Sequence, residues 1–326
     1  MTNQEIIDST IRELNTEKDW QVRYAKYADG ILKHQDHYKS MSHKANVSFP
    51  LSAYTTIDKM NRGSCEYDIR FLGQSIGILT IKKSGERTFA VSQKGYTDLI
   101  QKRGISELPK LEEKEKWDGS NMTKCRSILK HIDVSDAKTH SPEHKCENLL
   151  LREFSKTKSD EKSLLHIQPV KFGGKFVQFT TPLNASNHKN GPKYSQKGGG
   201  IDILARVGVG ANSHLCVIEL KDENRTSEPM EVVLQQALSY AVFLAQLLDD
   251  ERSEKWWKVL GYKDEKKVNK MIDVVGLMPK GTQIDNKEEY KVGSFTLRLR
   301  TLYFDKEALI ERKPFEFSGS FCKEIK

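Results

Sequence analysis

The chain has 326 residues, with 53 Lys and Arg against 45 Asp and Glu, so its formal net charge is +8. That length predicts about two domains, and the positive balance suits a polyanionic partner or simply a basic surface. Five cysteines without a Cys-x-x-Cys pair exclude a zinc knuckle and a disulfide framework. The first residues carry no basic and apolar leader, and no apolar run approaches the roughly 18 residues of a membrane span. A cytoplasmic location is the expectation.

Residues 3–33 carry Ile6, Ile7, Ile11 and Leu14, then Trp20, Tyr24, Ala28, Ile31 and Leu32, at helical spacing. A break falls near Asn15–Asp19. Trp20, Tyr24 and Tyr27 are expected to pack rather than to hold a ligand. Residues 45–100 are β-rich: Tyr67, Ile69 and Phe71 alternate with Asp68 and Arg70, and Ser84-Gly85 turns the chain into a further strand. A small antiparallel sheet is expected there. A charged stretch follows, with a short helix candidate at 122–132. The apolar pattern then lapses, which places a domain boundary between about 132 and 142.

Ser141 is a suitable N-cap, Pro142 can open a helix, and Leu149, Leu150 and Phe154 give residues 141–156 an apolar face. Extended segments follow at 164–170 and 175–181. After a polar loop come two apolar strands joined by GVGANS, a long apolar helix through Leu248, and the strands MIDVVGLMP and FTLRLRTLYF. The expected fold is α/β, a mixed central sheet flanked by helices over 141–326, with a separate N-terminal α+β domain over 1–140. The N-terminal part would supply target binding or a partner surface.

Three charged residues interrupt the apolar strands: Asp202, Glu219 and Lys221. Glu219 and Lys221 are two apart and share one strand face. A hairpin closed symmetrically about Gly210-Ala211 pairs residues whose numbers sum to 421. Asp202 then faces Glu219 with Cβ atoms about 5 Å apart, Leu204 faces Val217, and Arg206 faces Leu215. Two carboxylates about 4 Å apart at an effective dielectric of about 20 repel by about 4 kcal/mol. Lys221 offsets part of this, and a hard divalent cation would reverse it while also activating water and neutralising a phosphodiester.

This pattern, Ile-Asp202 followed by Glu219-Leu-Lys221 on a hairpin between two helices, resembles the PD-(D/E)XK nuclease superfamily. The resemblance implies that Asp202, Glu219, the Leu220 carbonyl and a helix glutamate hold Mg²⁺ or Mn²⁺, and that Lys221 assists hydrolysis. Glu147 is the best candidate for that glutamate, being followed by Leu150, Leu151 and Phe154 at +3, +4 and +7; Glu143 and Glu153 are weaker ones. Gln236 and Tyr240, four apart on one helix face, resemble the Gln-x-x-x-Tyr motif of the RecB-like branch. Ile201 stands where the family name has Pro. The resemblance covers roughly 141–305.

Glu-x-Lys also occurs at 112–114, 265–267 and 324–326, but only Glu219 ends an apolar run. Lys189, Lys193, Lys197 and Arg225 are candidates for gripping phosphates of a nucleic acid, with DNA the expected one. Gly198-Gly199-Gly200 lacks the following Gly-Lys-Ser/Thr of a P-loop. His140, His144 and Cys146 lack a second ligand pair. Asp222 and Glu223 are read as loop charge. The expected function is a metal-dependent nuclease acting on DNA. The rival is a catalytically silent nucleic-acid-binding or scaffold protein that keeps the fold.

Overall fold

The capped and periodic segments at 3–33 and 141–156 fold as helices, as their sequence predicts. The computed structural model describes residues 1–17, 19–45, 47–60, 65–92, 114–116, 141–156, 164–186, 191–250, 253–262 and 268–323. The helix candidate at 122–132 and Lys189 lie outside them. Helix α1 (Asn3–Thr16) starts with a capping box, in which the Glu5 N–H donates to Thr2 Oγ1 and the Thr2 N–H donates to Glu5. Helix α2 (Asp19–Lys33) follows the expected break, and α3 (Gln35–Ser42) continues from it. Trp20 and Tyr24 are buried and meet Phe243 edge-on, with ring centroids 5.3 and 5.1 Å away. Their role is packing.

Strands β1 (Leu51–Thr56), β2 (Cys65–Phe71), β3 (Gln74–Ile81), β4 (Arg87–Val91) and β5 (Lys114–Lys116) form an antiparallel run, with α4 (Ile57–Met60) after β1. Burial alternates along β2, with Asp68 and Arg70 on its less buried face. The chain then enters α5 (Pro142–Ser155), where Ser141 caps the His144 N–H as its sequence predicts. Next come β6 (Ile167–Pro169), β7 (Lys171–Phe172) and β8 (Lys175–Thr180).

Strand β8 joins the first sheet by pairing in parallel with β1. β7 pairs with β8, and so does β11 (Gly200–Ile201), after the small ribbon of β9 (Leu183–Asn184) and β10 (Lys193–Tyr194). The first sheet therefore runs β11-β8-β1-β2-β3-β4-β5 with β7 on β8. Residues 1–140 do not build it alone, because β7, β8 and β11 complete it. A parallel partner more than a hundred residues away leaves no periodic trace in either segment.

The second sheet is mixed, in the order β15-β16-β14-β13-β12-β6. It contains β12 (Ile203–Val207), β13 (His214–Leu220), β14 (Met271–Pro279), β15 (Glu289–Val292) and β16 (Phe295–Phe304). β13, β14 and β16 are parallel, while β12 is antiparallel to both β13 and β6. Helix α6 (Met230–Asp249) packs on β13, β14 and β16. It has the length and hydropathy of a membrane span, but most of it is buried in this core. Helices α7 (Glu254–Val259) and α8 (Lys306–Glu311) pack on α2 and α5 respectively. The fold is mixed α/β, with mixed sheets flanked by helices.

At the N-terminal ends of the three parallel strands lies a buried charge network. Asp273, 2% exposed, accepts from His214 Nε2 at 2.6 Å and from Arg298 Nε at 2.8 Å. Each of β13, β14 and β16 contributes one member, so the network ties three strands together. Asp273→Ala leaves both donors without their acceptor in a low-dielectric site. It is expected to cost about 3 kcal/mol, read as a lower urea midpoint with unchanged slope.

Candidate metal centre

At Asp202 the chain crosses from the first sheet to the second. β11 ends at Ile201, β12 begins at Ile203, and Asp202 occupies the break between them. The observed hairpin register pairs Ile203 with Ile218, Leu204 with Val217 and Arg206 with Leu215, all sums of 421 as predicted. Pairing stops one residue short of Asp202, whose Oδ2 instead accepts the Leu220 N–H at 2.9 Å. The carboxylate is thus fixed at the exit of β13, beside Glu219 and Lys221.

Lys221 Nζ lies 3.5 Å from Glu219 Oε1, 3.5 Å from Glu143 Oε2 and 3.9 Å from Glu228 Oε1. These separations are long for a tight ion pair, so the ammonium acts as a shared counter-charge. Gln236, buried on α6, donates from Nε2 to Glu228 Oε1 at 3.1 Å. Glu147 stands one helical turn beyond Glu143 on α5, followed by the buried Leu150, Leu151 and Phe154. Tyr240 is buried close enough to Glu219 and Asp202 to feel both charges. Gly199 makes room for it: a Cβ there would come within 2.6 Å of the Tyr240 hydroxyl and 2.9 Å of the Leu183 carbonyl oxygen.

The electrostatics follow from burial. Burial first, then the Asp202 charge, push the Glu147 carboxyl up to about 8, against the pull of Arg70. Burial lifts Asp202 to about 7 despite the hydrogen bond from Leu220, and Glu143 adds to the rise. Burial and Asp202 hold Glu219 well above the usual carboxylate range, with Lys221 opposing. Burial also raises Glu143, which Lys221 partly offsets. Burial works against the Lys221 charge, but Glu219, Glu143, Asp202 and Glu228 outweigh it and keep it an ammonium. Burial and the same two carboxylates raise Tyr240 and keep it a neutral phenol.

The first sheet adds a residue that sequence reasoning did not place in the site. Arg70 on β2 lies near Glu147, held by Asp68 at 2.6 Å and over the Tyr54 ring at 4.3 Å. The β2–β3 turn reaches α5 closely, since a Cβ on Gly73 would lie 2.1 Å from the His144 carbonyl oxygen. Glu228 was also missed, lying in a polar segment with no period. Glu143 had a readable signal, because it shares a helix face with Glu147 four residues on.

The structure thus gathers Glu147, Asp202, Glu219 and Lys221, with Gln236 and Tyr240 on the adjoining helix. Of the four basic candidates, three are described. Lys193 pairs with Glu13 at 3.0 Å, Arg225 pairs with Glu223, and Lys197 is exposed. Lys189 lies outside the described residues. Asp222 pairs with Lys306 at 3.0 Å and adds to the rise of Glu143, while Glu223 pairs with Arg225.

The donor set suits a hard cation in kind: it is all oxygen, it is crowded, and Glu219 Oε2 is buried without a hydrogen-bond partner. Among the described residues, no three acidic, His or Cys side chains converge on one point as they stand. Lys221 lies among the carboxylates in that arrangement. Comparison with protein-family models, with curated proteins and with solved structures found no match.

Proposed function

We propose that this chain is a metal-dependent nuclease of the PD-(D/E)XK kind, hydrolysing phosphodiester bonds in DNA. The observation that carries the reading is the Asp202 junction, where Glu147, Glu219 and Lys221 meet against a buried, unpartnered carboxylate oxygen. The order of elements supports it: helix, β6, the β12–β13 hairpin, helix α6 and β14 surround the acidic pair as the resemblance requires. A structural role alone would not favour four carboxylates around one lysine, because each raises the others' cost of ionisation.

Asp202, Glu219, Glu147 and the Leu220 carbonyl are the groups that would hold Mg²⁺ or Mn²⁺. A bound cation supplies Lewis-acid charge on the phosphate and an acidified water. Lys221, kept charged by its neighbours, stabilises negative charge growing on the phosphate oxygens and can hold a water by hydrogen bond. Gln236 fixes Glu228, which in turn limits where the Lys221 ammonium can lie. Tyr240 remains a neutral hydroxyl beside Asp202 and Glu219, and closes the site from the α6 side.

The test is incubation of the full chain with supercoiled, linear and single-stranded DNA, and with RNA, in Mg²⁺, Mn²⁺ or EDTA. DNA cleavage is expected with either metal, none in EDTA, and none above background with Asp202→Asn. Cleavage unaffected by EDTA or by that substitution would reject the site. Nucleic-acid binding without cleavage in either metal would favour the silent rival.

A further inference from the structure

Among the described residues, two arginines that share one aromatic ring have no acidic partner. The Arg152 guanidinium carbon lies 4.0 Å from the Phe49 ring centroid, and that of Arg312 lies 4.7 Å from the same centroid. Three distant segments meet there: the run into β1, the last turn of α5, and the end of α8. Two cations over one ring repel each other, and Arg312, after burial, depresses the basicity of Arg152. Among the described residues neither guanidinium has a carboxylate within ion-pair distance, although most nearby charges do. Glu153 bonds Lys156, Glu311 bonds Lys313, and Asp222 bonds Lys306.

The backbone at Arg312 adds a second, independent anomaly. It terminates α8 in the left-handed region, at φ 60° and ψ 30°, with its N–H donating to the Ala308 and Leu309 carbonyls. Glycine or asparagine ordinarily fills such a position, because a Cβ makes it strained. The Arg312 side chain, exposed and over an aromatic ring, therefore stands on a strained backbone.

We propose that Arg152, Arg312 and Phe49 form a docking site for the phosphate backbone of the nucleic acid, at the C-terminal end of α5, the helix that carries Glu147. Arginine's planar fork matches a phosphate's oxygens, and the ring holds both forks without neutralising them. Arg152 follows Glu147 by five residues, about 7.5 Å along the helix axis. These two arginines take the role that the sequence suggested for Lys193 and Arg225, whose charges are spent on Glu13 and Glu223.

This proposal rests on the nucleic-acid reading above, and the experiment separates the two. Anisotropy of a labelled duplex DNA is titrated with the full chain in EDTA, where metal-dependent cutting is off, at several salt concentrations. Arg152→Ala and Arg312→Ala are each expected to weaken binding about tenfold and to lower the slope of log K against log salt by about 1. Arg312→Gly relieves the backbone while removing the guanidinium. It should weaken binding equally with a melting temperature at or above that of the unsubstituted chain. Unchanged affinity and slope in these variants, or no DNA binding by the unsubstituted chain, would overturn the proposal. If the variants lose binding but the unsubstituted chain never cuts, the nuclease reading fails and this docking site stands. If the chain cuts DNA and the variants bind it normally, only the docking site fails.

Discussion

Lys221→Ala is expected to reduce DNA cleavage by about 10³-fold or more, because one side chain serves two needs at once. It is the cation within 4 Å of Glu143, Glu219 and Glu228, at 3.5, 3.5 and 3.9 Å. It is also the proposed donor to the phosphate in flight. Removing it leaves the carboxylates to neutralise one another by taking up protons, which raises the pH needed to ionise the ligand set. The loss should therefore be larger at pH 6.5 than at pH 8.5. Lys221→Arg keeps the charge but replaces a compact ammonium with a broad planar fork in a site that is only 15% exposed at this side chain. It should restore the acid–base balance of the cluster while recovering little of the rate. Single-turnover cleavage across pH, set beside thermal melting of the same variants, separates the two roles. Cleavage that survives Lys221→Ala at both pH values removes Lys221 from the chemistry.

The hairpin carrying this site was legible because two simple periods govern it. Strand alternation puts Glu219 and Lys221 together, and one turn midpoint sets every pair from Ile203 to Val207. Ser141 before Pro142 announced α5, and the spacing of Leu150, Leu151 and Phe154 told which face Glu147 shares. What stayed hidden depends on long-range contact. Arg70 reads as an outward-facing strand residue, and only the docking of the β2–β3 turn on α5 brings it to Glu147. Asp202 was placed in a continuous strand, whereas it is the break where the chain changes sheets, so it bonds a backbone N–H and does not pair with Glu219. β15 escaped because its four residues, Glu289–Val292, are short and polar and owe their strand form to pairing with β16. The lysines of the polar loop looked available because sequence cannot show that Glu13 on α1 reaches Lys193.

The second large effect is on stability, and its sign follows from the direction of the shifts. In the folded chain Glu147 is pushed up to about 8 from an ordinary 4.5, and Asp202 to about 7 from 3.8. Both are raised, so between those values the folded chain binds more protons than the unfolded one. Stability is fully present below about pH 4 and is lost as pH rises through 7 and 8. Each group contributes a slope of up to about −1.4 kcal/mol per pH unit inside its window. His34 and His144, held below the ordinary imidazole range by burial, act in the opposite sense. The difference between the unsubstituted chain and Asp202→Asn cancels their part. In EDTA the melting temperature should fall from pH 5 to pH 8.5, and Asp202→Asn should fall less. Millimolar Mg²⁺ or Mn²⁺ should raise it at pH 8, where the carboxylates are most ionised, and do little at pH 5, because a cation must displace the protons the cluster holds. Asp202→Asn should abolish that gain. A melting temperature that does not respond to metal at pH 8, or a gain that Asp202→Asn leaves intact, would show that these carboxylates crowd together for some reason other than holding a cation.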